Sequence, residues 1–268
     1  MAEYTYIKTR VEDGVGIITL DRPETINGWH APMRRDIINA LKAFNEDKSV
    51  GAVILTGAGT KAWSSGQDLN ETKNIKGGTD GAAWAEEWRE FYNALRNMDK
   101  GTVAALNGVA AGSAYQYAML HDIIVGYPGS RMGQPEINSG ISSVTGPHIM
   151  DERIGHSRTS ELTLRGRVMT GTEAYEAGVI HYLVDTQDEV MPKAMEIAKM
   201  LASKAPLAMK LTKKRIREMT QPGLEETIDA NLKISAENYA SGEPQIWMEK
   251  FFEERAARKA AKAAAEKG

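Results

Sequence analysis

The stretch VAALNGVAAGSAYQYAMLHDIIVGYPGSRMGQPE, residues 103–136, decides the reading of this chain. It opens with a short apolar segment, residues 103–106, and turns through Asn107-Gly108 into a run of small residues, 109–113. A helical segment is expected over 114–120, then a second apolar run at 123–125, then a Gly/Pro-rich loop ending at Gly133-Gln134-Pro135-Glu136. A strand, a tight small-residue turn and a helix N-terminus in that order aim main-chain N–H groups at an anionic oxygen, or at one that becomes anionic. A lone carboxylate, Glu136, follows Gln116 by twenty residues.

Outward from this stretch the pattern is one of strands alternating with helices, which predicts an α/β architecture. Residues 4–8 and 14–20 read as a hairpin turning at Glu12-Asp13-Gly14, with Val15, Ile17, Ile18 and Leu20 supplying β-branched and apolar side chains. Residues 31–44 form an amphipathic helix with Met33, Ile37, Ile38, Leu41 and Phe44 on one face. A short buried strand is expected at 52–55. A second amphipathic helix, 82–98, carries Trp84, Trp88, Phe91, Tyr92 and Leu95. Beyond Glu136 the chain reads as loop to about Pro147. Helices are then expected at 149–154, 158–164 and 172–177, with a last strand at 179–184. From Val190 onward it reads as helix at 190–204, 207–219, 223–240 and 245 to the end, the last part an Ala/Lys/Glu/Arg-rich tail. The expected division is an α/β core over residues 1–190 and a helical region over 191–268.

Composition narrows the function. The chain has 268 residues, 42% of them hydrophobic, enough for a substantial core. A net charge of −3 gives no basic field for nucleic acid. With no cysteine, disulfides, thiolate nucleophiles and Cys-ligated metals are excluded. No basic region followed by an apolar core opens the chain, and no apolar run approaches the length of about 18 residues that a membrane span needs. A soluble cytoplasmic protein with no membrane partner is expected. The five histidines, His30, His121, His148, His156 and His181, have no compact ligand spacing, so no metal site is expected.

Two loops share a design: small or polar residues directly after an apolar strand. One is Trp63-Ser64-Ser65-Gly66-Gln67-Asp68-Leu69 and the other Asn107 to Ala114. Main-chain N–H groups from two such turns can form an oxyanion hole. By its residue type Glu136 is equally a loop or cap carboxylate, Asp68 a turn residue, and Tyr115, Tyr117, Trp84 and Trp88 core residues.

Asp21-Arg22-Pro23 with Asn27, Ser65 to Leu69, Val103 to Ala114, Asp122-Ile123-Ile124, Gly133 to Glu136, Leu164-Arg165-Gly166, the AYEAGV run at 174–179 and Phe251 to Arg255 stand in one order and spacing. That ordered set resembles the crotonase (enoyl-CoA hydratase/isomerase) superfamily over roughly residues 4–256. The resemblance implies a crotonase-like ββα superhelix with a helical C-terminal region, and a homotrimer or dimer of trimers. It implies an acyl-CoA thioester as substrate, CoA being part of it and no separate cofactor being needed. It places the oxyanion donors at Gln67 and Ser113. Hydratases of the family use two glutamates, whose positions here are Gln116 and Glu136. Glutamine cannot ionise, so one acid–base group remains. Moving a double bond needs one base that removes a proton and returns it elsewhere, whereas hydration is easiest with two carboxylates around one water. Double-bond isomerisation with Glu136 as single acid/base is therefore the leading expectation. A hydratase with a rearranged water site, a C–C or thioester hydrolase, and an inactive CoA-binding scaffold are the alternatives. Asp68, Tyr115, Tyr117, Trp84, Trp88 and His148 are expected to shape the substrate site, Trp29 to cover part of CoA, and Arg22, Lys61 and Lys250 to meet its phosphates.

Overall fold

Asp13 and Gly14 both take positive φ, 50° and 77°. That is the two-residue turn whose twist matches a right-twisted hairpin, and it joins β1 (Ile7–Glu12) to β2 (Val15–Leu20). The computed structural model describes residues 3–72 and 79–250 with 253, 254 and 257, apart from the side chains of 69, 72 and 79–85. The Trp84 side chain and most of the 251–255 segment lie outside the described residues.

After the hairpin come α1 (Ala31–Glu46), β3 (Ala52–Gly57), β4 (Ala62–Ser64), a single turn α2 (Leu69–Thr72) and α3 (Thr79–Arg96). Then follow β5 (Gly101–Ala105), β6 (Val109–Ala111), α4 (Ser113–Met119), β7 (Ile123–Gly126) and β8 (Arg131–Gly133). The chain continues through α5 (Thr145–Ile154), α6 (His156–Arg165), β9 (Val168–Thr170), α7 (Gly171–Glu176), β10 (Tyr182–Leu183), α8 (Val190–Ala202) and α9 (Pro206–Ala240).

Two sheets result. One has the order β1-β2-β3-β5-β7-β10, the other β4-β6-β8-β9. Three successive strand pairs, β3–β4, β5–β6 and β7–β8, each place their first strand in the large sheet and their second in the small one. This is the expected ββα spiral. Within each sheet these strands run parallel, so their C-terminal ends, and the loops that leave them, line up. The large sheet is buried on both faces, which is why β2 reads as a near-continuous apolar run. Ile18 and Leu20 face α1 and α3. Val15 and Ile17 join Ile54 and Val103 beneath α8, whose Val190, Ala194, Ile197 and Ala198 cover them. Each fully buried Ile or Val contributes about 1.5–3 kcal/mol relative to exposure. The sheet-packed part of the chain thus runs past 190 to the end of α8.

Two expectations change. The small sheet was invisible in the sequence, and residues 109–111, expected as loop, form its strand β6. Residues 207–219 and 223–240, expected as two helices, are one helix with Pro222 inside it. A mid-helix proline costs about 3 kcal/mol. Packing offsets that cost: Leu224 and Ile228 enter the main core, and Arg96 binds Gln221 and Thr220 across the α3–α9 contact.

α3 is fixed against α1 from the other side by Arg34, which has no solvent exposure. Its guanidinium pairs with Glu71 at 2.8 Å and Glu87 at 3.0 Å and lies 4.7 Å from the Trp88 ring. Glu87 is therefore a structural partner. Removing a buried cation leaves its carboxylates uncompensated, at about 3–5 kcal/mol. Arg34→Met is expected to lower the unfolding free energy by that order in urea titrations. Adding Glu71→Gln and Glu87→Gln to Arg34→Met should restore part of the loss, and an additive further loss would contradict the assignment.

Candidate functional site

β4 and β6 are parallel neighbours, so the loops leaving them run side by side. Gly66 sits in the first at φ 86°. A Cβ there would come within 2.5 Å of the Ala111 carbonyl and 3.3 Å of the Ser113 nitrogen. Only a glycine lets the two loops approach this closely. Residue 67 is also bridged to Trp29: the Trp29 N–H donates to the Gly66 carbonyl at 2.9 Å and the Asp68 N–H to the Trp29 carbonyl at 3.0 Å. Gln67 and Ser113 each leave a main-chain N–H without an acceptor among the described residues, and both border a cavity of about 730 Å³. Two unpaired donors on adjacent loops, facing one cavity, can receive an oxygen that gains negative charge.

Glu136 comes from the third strand of the same sheet. β8 lies beside β6, with Gly133 opposite Ala111, and runs into Gln134-Pro135-Glu136. A Cβ on Gly112 would lie 3.0 Å from Glu136 Oε1, so the carboxylate sits against the residue preceding Ser113. Gln134 Nε2 donates to Oε1 at 3.0 Å and to Ser143 Oγ at 2.8 Å. Oε2 has no partner and no solvent contact. Burial of the charged form pushes the carboxyl up to about 7, opposed in part by its own main-chain N–H.

Three carboxylates border the cavity, and their surroundings differ. Glu24 is 69% exposed. Burial alone would raise the Asp68 carboxyl, but hydrogen bonds from Asn70 and Arg22, the latter an ion pair at 3.2 Å, outweigh it and hold Asp68 below its ordinary value. Glu136 alone is enclosed, unpaired by a cation and tuned toward neutrality.

Gln116 lies on α4 and borders the cavity. The Tyr92 hydroxyl donates to its Oε1 at 2.6 Å, which leaves its amide nitrogen as a donor. Tyr92 also borders the cavity, and burial together with the Glu136 charge pushes its phenol well above the ordinary range. Sequence reasoning placed Tyr92 only in the apolar stripe of α3. Its signal was the i,i+4 spacing from Trp88, which also lines the cavity. The wall supplied by α9 was missed as well: Ile228, Asn231, Ser235 and Tyr239 form one stripe.

Four expected site residues lie elsewhere. Trp29 has no exposure and packs edge-on to Phe91, Tyr117 and Trp63. It cannot cover a ligand, but its indole N–H donates to Ser113 Oγ at 3.1 Å. Tyr117 stacks on Phe91 at 4.1 Å, and Tyr115 is equally buried; neither borders the cavity. They sit on α4 faces turned into the core, where ring burial outweighs the unpaired hydroxyl. His148 points to α9, where a Cβ on Gly223 would lie 2.7 Å from its ring, and has Glu152 at 3.2 Å. Arg22 is occupied by Asp68 and the Gly28 carbonyl, while Lys250 lies over the Trp247 ring. Among the described residues no group of three or more His, Asp or Glu side chains could hold a metal ion, and no helix is long and apolar enough to cross a membrane.

Known proteins share the sequence pattern and the fold of this chain. The sequence model of the family described as enoyl-CoA hydratase/isomerase matches residues 10–259. A probable mitochondrial enoyl-CoA hydratase of Dictyostelium discoideum is 30% identical over 92% of this chain and 88% of its own length. A short-chain-enoyl-CoA hydratase of Clostridium acetobutylicum is 28% identical over 91% and 93%. Among solved structures, an enoyl-CoA hydratase/isomerase from Xanthobacter autotrophicus Py2 superposes with a TM-score of 0.82 at 28% identity, covering 98% of this chain and 97% of that one. With its spiral of paired strands and its paired amide donors, the chain belongs to the enoyl-CoA hydratase/isomerase family, the crotonase superfamily.

Proposed function

We propose that this protein is an enzyme acting on acyl-CoA thioesters, moving a carbon–carbon double bond through an enolate with Glu136 as its single acid–base group. The observation that carries this reading is the pairing of one enclosed carboxylate, Glu136, with a glutamine at 116. The thioester oxygen sits between the N–H groups of Gln67 and Ser113. Glu136 Oε2 takes a proton from the carbon next to the carbonyl, and the electron pair of that C–H bond passes to the thioester oxygen as an enolate. The developing charge meets two preorganised donors in a site of low dielectric. The protonated Glu136 then returns its proton two carbons further along, the enolate collapses, and the double bond has moved with no net gain or loss of atoms. A base with a pKa near 7 suits both halves of this cycle. Gln116, whose oxygen accepts from Tyr92, cannot ionise and offers the substrate hydrogen bonds only.

Hydration is the second reading, because the relatives are named hydratases and the Gln116 amide nitrogen can hold a water. Incubation with 2-enoyl- and 3-enoyl-CoAs in heavy water separates the two. Double-bond migration with deuterium at the γ-carbon of a 2-enoyl product, or at the α-carbon of a 3-enoyl product, and no net hydration supports isomerisation; rapid hydration of crotonyl-CoA would rule it out in favour of the second reading. We also propose a homotrimer or dimer of trimers. Leu207, Leu211 and Met219 of α9 are 53–67% exposed, an apolar surface suited to a second copy. Light scattering should give three or six times the chain mass, and a monomer would refute it.

Three kinetic outcomes follow from the site. The base must be ionised, so kcat/KM should rise with pH through a midpoint near 7, the value to which burial pushes Glu136. Glu136→Gln should lower kcat by about 10²–10⁴-fold while thioester binding persists. Gln116→Glu should restore a second carboxylate and raise crotonyl-CoA hydration by at least about tenfold, read as loss of the enoyl absorbance.

A further inference from the structure

Trp29 touches both loops that supply the amide donors. Its main chain brackets Gln67: the Trp29 N–H binds the carbonyl before it, and the Trp29 carbonyl takes the N–H after it. Its side chain reaches the other loop, where the indole N–H donates to Ser113 Oγ at 3.1 Å. The indole is fully buried and packed by three aromatic rings, so this donor has a fixed direction. Ser113 needs such a fixture. A Cβ on Gly66 would stand 3.1 Å from Ser113 Oγ, so the hydroxyl lies in the narrow seam between the loops. Without the indole bond the two loops lose a cross-link in the seam, and the amide that carries the hydroxyl can tilt. The indole holds the hydroxyl in one rotamer.

We propose that Trp29 is a positioning residue for the oxyanion site, setting the separation and aim of the Gln67 and Ser113 N–H groups, with its indole acting through the Ser113 hydroxyl. It touches no substrate and acts only through these two residues. The inference rests on the acyl-CoA reading given above. One lost donor in such a site costs about 10²–10³ in kcat; a mis-aimed one costs part of that.

The test is a double-mutant cycle on the full-length protein, with Trp29→Phe, Ser113→Gly and the pair. Trp29→Phe keeps a buried ring and removes the N–H. It should lower kcat by about tenfold with KM changed less than about twofold. In the Ser113→Gly background the same substitution should cost less than about twofold, because there is no hydroxyl left to hold. Equal costs in both backgrounds would mean packing alone and would overturn the proposal. The second readout is the infrared carbonyl stretch of a bound saturated acyl-CoA carrying ¹³C at the thioester. It should lie below its solution value in the wild type and move back toward it in Trp29→Phe. Should Trp29→Phe fail to fold, Ser113→Ala, which removes the acceptor and leaves the indole, should give the same movement; an unchanged stretch and kcat there would overturn the role. A wild-type stretch equal to that in solution would instead count against the acyl-CoA reading itself.

Discussion

The seam between Gly66 and the Ala111–Ser113 segment is the constraint on which the rest depends. Two loops from adjacent parallel strands meet there with no room for a side chain on one of them. Each leaves an N–H without a protein acceptor beside the cavity. A fold tolerates that only where the surroundings forbid relaxation. Here the small sheet aligns the strand ends, an aromatic cluster of Trp29, Trp63, Phe91 and Tyr117 fills the space behind them, and the buried Arg34 locks α3 onto α1. The placement of the two donors is thus held by core packing and by one buried cation.

The same cavity shows how neighbours assign roles to like residues. Asp68 and Glu136 are both carboxylates on loops after short strands of one sheet. Arg22 and the Asn70 amide keep Asp68 charged and structural. Glu136 meets a neutral amide and its own N–H, and burial dominates. Nothing in the two side chains differs that would predict this; their partners decide it.

Much of the fold was legible because periodicity reports burial. Helix α1 and strands β2, β3 and β5 stand within a few residues of their expected bounds, and the ββα order follows from ordered loops rather than from any one of them. The small sheet was not legible, since its strands are three residues each and too short to show a period. Pro222 argued locally for a break that tertiary contacts of Leu224, Ile228 and Gln221 overrule. In the site, Gln67, Ser113, Gln116, Asp68, Trp88 and Glu136, named from the ordered motifs and the apolar stripe of α3, all border the cavity. Trp29, Tyr115, Tyr117 and His148 were named on neighbourhood in sequence, and a helix or loop turns neighbours to opposite sides. Tyr92 was missed because an aromatic in an apolar stripe gives no sign of which way its hydroxyl points.

The Gln134 amide that binds Glu136 Oε1 makes the two oxygens of one carboxylate unlike. Oε1 is engaged by a side chain that is itself anchored on Ser143, and only Oε2 is left to carry a proton. On the proposed function, a carboxylate so tethered addresses a flat enolate from one side. On the proposed isomerisation, removal and return take place on the same face, and in heavy water the deuterium enters one prochiral position, set by a glutamine that never contacts the reacting carbons.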